Sequence, residues 1–95
     1  MSNKRYTLTK LLTRVTLRQL AGAAAYERGV AYWEHGQVEE VSCQDETLTA
    51  NVRGTVRYEV QLWIRAGRLQ ASCSCLAAAE GACCKHCVAV GLQWL

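Results

Sequence analysis

Apolar positions along this chain change their period once. Before Gly36 they recur at helical spacing, and after it they alternate. Leu8, Leu11, Leu12 and Val15 fall on one stripe, and Leu17, Leu20 and Ala21 on another, which predicts helix over 8–21. Thr16, with Gln19 three residues later, reads as the N-cap of a second short helix in that stretch. Gly22 reads as its end. A further helix over 23–35 places Tyr26, Val30 and Trp33 on one face. Gly36 fits the position just past a helix, where positive φ costs glycine little.

Residues 38–43 read as a strand and Asp45-Glu46 as a turn. Leu48, Ala50 and Val52 alternate with Thr49, Asn51 and Arg53. Arg53-Gly54 predicts a tight hairpin turn. Val56, Tyr58, Val60, Leu62 and Ile64 then alternate with Arg57, Glu59, Gln61, Trp63 and Arg65. Ala66-Gly67 turns the chain into a fourth strand, over 68–72. Period-2 patterning with one polar face predicts an antiparallel meander. Residues 84–95 return to helical spacing, with Val88, Leu92 and Leu95 on one side. The fold class is α+β: N-terminal helices, a small antiparallel β-meander and a C-terminal helix. No Pro, low-complexity linker or long-period repeat divides the chain. We divide it into a basic N-terminal segment, 1–16, and a domain, 17–95.

Composition narrows the picture. A chain of 95 residues buries only about 60–65% of its unfolded surface, so its core is marginal. Hydrophobic residues make up 51%, but 13 are Ala and none is Phe. No run of 18 apolar residues exists, so no helical membrane span and no membrane partner is expected. Lys10, Thr13, Arg14 and Thr16 interrupt any secretory h-region, so a cytoplasmic, reducing compartment is expected, with nucleoid or nuclear association open. Residues 1–26 hold five basic side chains and no acid, whereas 27–95 hold six basic and eight acidic ones. A basic arm attracts polyanions, although a solvated helix face explains the same charges.

Chemistry concentrates near the C-terminus. Five of six Cys lie between residues 73 and 87, together with His86. Cys73-Ser74-Cys75 is followed, after eight residues, by Cys84-Lys85-His86. Two pairs, each spaced by one residue, can turn four donors towards one ion, and Gly81 and small Ala residues let the connecting loop fold back. Tetrahedral zinc takes thiolates at about 2.3 Å and imidazole at about 2.0–2.1 Å. Four protein donors close the coordination sphere, which makes a structural centre rather than a catalytic one. Adjacent Cys83-Cys84 and the C-x-C spacing make poor local disulfides. Cys84-x-x-Cys87 lacks the βαβ surroundings of a redox dithiol. Spacing alone leaves open a four-thiolate site using Cys87, or Cys83 in place of Cys84.

The motif resembles the SWIM zinc finger, C-x-C-xn-C-x-H. Cys84-Lys85-His86 followed by Val88-Ala89-Val90 is similar to that family's C-K-H start of an apolar helix. Upstream, Tyr26-Glu27-Arg28-Gly29, Tyr32, Gly36, Val38, Val52-Arg53-Gly54, Tyr58 and Val60 resemble the lead-in of bacterial SWIM proteins, so the likeness spans roughly 17–95. It implies Cys73, Cys75, Cys84 and His86 as ligands of one structural Zn2+, in the motif 73–86. Two departures stand out. The family often has Pro where Leu76 stands, which implies a looser turn. Cys87 occupies a place that is usually apolar, so it reads as a small buried hydrophobe.

The resemblance also implies a binding module. Relatives occur beside Swi/Snf-type helicases and in transposition, recombination or ubiquitin pathways, and are proposed to bind DNA or proteins. Two functional classes follow: a module that binds nucleic acid, with DNA favoured, and a protein-interaction module or scaffold within a helicase or recombination assembly. Candidate nucleic-acid contacts are Arg18, Arg28, Arg53, Arg57, Trp63, Arg65 and Lys85; each arginine also reads as a solvated charge. Trp63, on the polar strand face, is either a base-stacking platform or lies beneath a helix. No Ser/His/Asp arrangement, Walker loop or open metal site appears, so no enzyme and no small-molecule substrate is expected. His35, at a helix end, and Cys43, in a strand, read as structural.

Overall fold

A computed structural model describes residues 4–75 and 83–95. Three helices come first: α1 (Lys4–Leu11), α2 (Arg14–Ala21) and α3 (Ala23–Glu34). Four strands follow, β1 (Val38–Gln44), β2 (Thr47–Arg53), β3 (Arg57–Arg65) and β4 (Arg68–Cys73), and then α4 (Lys85–Trp94). The strands form one antiparallel sheet in the order β1-β2-β3-β4. The expected α+β meander with a terminal helix is what the chain adopts. The looser turn expected at Leu76, and the loop through Gly81, lie outside the described residues.

The first helical stretch breaks earlier than its pattern suggests. Thr13, not Thr16, is the N-cap of α2: Thr16 N donates to Thr13 Oγ1 at 3.1 Å, and Thr13 N donates to Thr16 Oγ1 at 3.0 Å. Thr16 is therefore the reciprocal partner, and its hydroxyl also donates to Leu11 O at 2.7 Å. The break turns Val15 outwards, leaving it 64% exposed instead of on the buried stripe. Gly22 links α2 directly to α3 at φ 89°, a conformation that strains any residue with a Cβ. At the far end of α3, His35 is the C-cap, with Nδ1 2.7 Å from Ala31 O.

Two hairpins close on two-residue turns. Asp45-Glu46 and Ala66-Gly67 all have positive φ, the mirror-image geometry whose twist matches the flanking strands. The third differs from expectation. Arg53 pairs with Arg57 across a three-residue loop, 54–56, and Gly54 does not supply a positive φ. Its small size serves another purpose: a Cβ there would stand 2.7 Å from Tyr58 Cε2.

A bulge keeps β1 in register with the core. Glu39 pairs with Asn51 and Ser42 with Thr49, so β1 carries one extra residue, and Glu40 takes φ 56°. Val38 and Cys43 are five residues apart, which strict alternation would place on opposite faces. With the bulge, both pack against the core.

The core lies between one sheet face and the helices. Leu48, Val52, Val60 and Leu62 meet Leu8, Leu12, Leu17, Val88, Val90 and Leu92, all essentially fully buried. Leu8 and Leu12 thus join the same core as the downstream elements. The α4 helix is buried from His86 to Leu92, while Leu95 is exposed. No helix among the described residues is long and apolar enough to cross a membrane.

Candidate metal centre

The end of β4 and the start of α4 meet beneath the sheet edge. Cys73 ends β4, Cys75 lies two residues beyond, Cys84 is the N-cap of α4, and His86 sits in its first turn. Their ligand atoms all lie within 4.8 Å of one another. Cys75 Sγ is 3.6 Å from Cys84 Sγ, and His86 Nδ1 is 3.6 Å from both Cys73 Sγ and Cys84 Sγ. Zinc with arms of about 2.3 Å to sulfur and about 2.0–2.1 Å to nitrogen has tetrahedral edges of about 3.5–3.8 Å. Three of the donor pairs, at 3.6 Å, already have such an edge, and the four donors stay within 4.8 Å of one another.

Burial points the same way. Cys75, Cys84 and His86 are buried and Cys73 is half-buried. His86 is the buried polar side chain of the core, and its Nε2 finds no hydrogen-bond partner among the described residues. Burying an unpaired ring nitrogen costs about 1–3 kcal/mol. Nδ1 is the ring nitrogen that faces the sulfurs, so an ion would bind there and leave Nε2 as the protonated nitrogen. All six cysteines are free thiols.

The thiols share charge unequally. Hydrogen bonds from Cys73 and Cys87 hold the Cys84 thiol far below its ordinary range, overcoming the desolvation that opposes it. The same bond to Cys84 pushes Cys73 up to about 12. Cys87 is raised by its contacts with Cys73, Cys83 and Cys84, then by burial. Of these three thiols, Cys84 is the most readily deprotonated. A bound dication reverses this logic for every sulfur it touches.

Aromatic rings fix the imidazole plane. Tyr58 stacks on His86, and Tyr32 stands nearly perpendicular, at 89° with centroids 5.1 Å apart. The Lys85 ammonium lies 5.7 Å from the Tyr32 ring centroid. Tyr58 and Tyr32 as a clamp on His86 were not singled out from the sequence. The inward parity that Tyr58 shares with Val60 and Leu62 was the available signal.

The other candidate residues divide between two surfaces. Arg53, Arg57, Trp63 and Arg65 lie on the outer sheet face, away from the helices. Arg57 Nη2 is 3.5 Å and Arg53 Nε 3.6 Å from the Glu39 carboxylate, and Arg57 Nη1 is 4.0 Å from Glu40. Arg65 is exposed, and Trp63 is half-buried and not among the residues packed against the core. Arg18 is exposed on α2. Arg28 and Lys85 line a cleft of about 630 Å³ beside the metal centre, with Tyr58, Ser74 and Val56.

Three cysteine sulfurs and one imidazole, closely spaced and all but Cys73 buried, define a structural zinc site. Residues 58–93 match the SWIM zinc finger family model. The match covers β3, β4 and α4 and includes every donor of the centre. Comparison with curated proteins and with solved structures gives no match. SWIM fingers are binding modules, generally without catalysis, that mediate nucleic-acid or protein interactions.

Proposed function

We propose that this protein is a zinc-stabilised module that binds nucleic acid, DNA in particular, through its phosphates and without catalysis of its own. The cleft beside the metal centre carries the reading. Arg28 and Lys85 line it with the Ser74 hydroxyl, and no acidic residue is among its described lining. Arg18 adds a further exposed cation on the helical side. Arg53 and Arg57 already face carboxylates, so they offer less to a phosphate. Trp63 and Arg65 provide a second contact region on the outer face. The absence of catalysis rests on four protein donors filling a tetrahedron, which leaves a substrate no vertex. A reducing, cytoplasmic or nucleoid setting belongs to the same reading, supported by six unbridged cysteines.

Fluorescence anisotropy with labelled DNA and RNA oligonucleotides tests the reading, on zinc-loaded and chelated protein. We expect binding to the loaded form that weakens steeply with salt, because neutralised phosphates release counterions. Absence of affinity for either polymer at low salt would end it.

A second reading is a protein-interaction module within a helicase or recombination assembly. Val15, Leu20 and Val56 favour it, being 64%, 42% and 60% exposed. It predicts a stoichiometric partner that stays bound after nuclease treatment.

A further inference from the structure

Cys87 is fully buried in the first turn of α4, yet its neighbours are not only carbon. Its Sγ lies 3.8 Å from Cys84 Sγ and 3.6 Å from the Ser72 carbonyl oxygen, to which the thiol can donate. Cys84 is thus approached by two residues of one helical turn: His86 Nδ1 reaches it at 3.6 Å and Cys87 Sγ at 3.8 Å. His86 Nδ1 is also 3.6 Å from Cys73 Sγ. A separation of 3.8 Å is also the sulfur–sulfur edge of a tetrahedral zinc thiolate, about 3.8 Å for arms of about 2.3 Å. The reading of Cys87 as a small hydrophobe accounts for its burial but not for this placement.

We infer that Cys87 is an alternate metal ligand, whose thiolate takes the fourth vertex when the His86 imidazole does not. The centre then has a three-thiolate, one-imidazole form and a four-thiolate form. Exchange breaks one metal–nitrogen bond, forms one metal–sulfur bond and releases the thiol proton to solvent. Zinc accepts either donor set, whereas softer ions such as Cd2+ favour sulfur. The inference rests on the structural metal centre described above and goes beyond its four-donor assignment.

Cobalt is the probe, since its thiolate charge-transfer absorption grows with the number of bound sulfurs. Wild type, His86→Ala, Cys87→Ser and the double variant are compared for bound Co2+ and for that absorption, under reducing conditions. His86→Ala is expected to hold one ion with charge-transfer intensity roughly four-thirds of wild type, as three sulfurs become four. Cys87→Ser should keep wild-type stoichiometry and intensity, which also shows that the site tolerates serine. The double variant should bind at least about tenfold more weakly than either single variant. If His86→Ala binds as poorly as the double variant, or binds with unchanged intensity, the inference is overturned while wild-type binding leaves the centre intact. Wild type without metal overturns both.

Discussion

Tyr58 stacks on the imidazole of His86, with ring centroids 4.3 Å apart and planes inclined by 22°. The contact joins β3 to the metal helix, and Gly54 leaves room for the tyrosine ring. A ring held in one plane presents its nitrogen to the sulfurs without a further ordering cost. Replacing Tyr58 by Ala frees the imidazole and opens it to water, so zinc affinity should fall about 10–100-fold, the usual cost of losing a supporting contact at a metal ligand. Tyr58→Phe keeps the stacked ring and should stay near wild type. Competition with a chromophoric chelator measures both, and equal losses in the two variants would show that the hydroxyl matters rather than the stack.

A second prediction concerns the crossing of α3 and α4. A Cβ on Gly29 would stand 2.5 Å from both Cβ and Cγ1 of Val88 and 2.8 Å from the Lys85 carbonyl oxygen. Alanine normally favours a helix over glycine by about 0.5–1 kcal/mol. Overpacking costs about 1–3 kcal/mol, and these neighbours cannot rotate away, so Gly29→Ala should be destabilising. Gly91→Ala meets only the tips of Leu17, at 2.8 Å, and of Leu12, at 3.3 Å, which can shift. Thermal melting should therefore rank Gly29→Ala below Gly91→Ala, by about 4–8 °C for each kcal/mol of difference.

Removing the metal should have a global effect. Structural zinc is worth roughly 10–16 kcal/mol in apparent binding free energy, against a whole-domain stability of about 5–15 kcal/mol. Strong chelation should lower the melting temperature and expose the backbone amides of β4 and α4 to hydrogen exchange. An unchanged melting curve after confirmed metal loss would refute a structural role.

Proton competition gives that centre a definite pH dependence. The metal-free Cys73 thiol is pushed up to about 12 by its bond to Cys84, so it is protonated at neutral pH and must lose its proton to the ion. Cys84, held far below its ordinary range, is already a thiolate there. Affinity should rise as pH rises, and zinc uptake near neutrality should release protons. Calorimetry in buffers of different ionisation enthalpy counts them, and uptake without proton release would contradict this charge distribution.

The sequence made some of this legible and hid the rest for identifiable reasons. Val60, Leu62 and Ile64 alternate because one sheet face is buried, and Ala66-Gly67 marks its hairpin through backbone preference. The C-x-C and C-x-H spacings bring donors together because β4 ends, and α4 begins, at the same place. Such features are local. The cap at Thr13 was missed because Thr16 also has capping chemistry, and a reciprocal threonine pair has no acidic residue to mark it. The bulge at Glu40 leaves no signature beyond the odd spacing of Val38 and Cys43. The Tyr58–His86 stack joins residues 28 positions apart, so only tertiary packing reveals it.

The phosphate-binding proposal is tested most sharply by comparing cations in different surroundings. Arg28 and Lys85 line the cleft with no described carboxylate beside them, whereas Arg57 lies 3.5 Å from Glu39 and 4.0 Å from Glu40. An exposed ion pair is worth only about 0–1 kcal/mol, so losing it hardly disturbs the fold. Its acid nevertheless offsets the arginine's attraction for a phosphate. Arg28→Ala and Lys85→Ala should each reduce the slope of log affinity against log salt by about 1, with a uniform loss across DNA sequences. Arg57→Ala should leave the slope unchanged and weaken binding only slightly, because Glu39 and Glu40 lose their partner. Lys85 neighbours two metal ligands, so zinc content must match wild type before its slope is read. If all three variants change the slope alike, binding is spread over the whole charged surface and the cleft beside the metal centre has no special part in it.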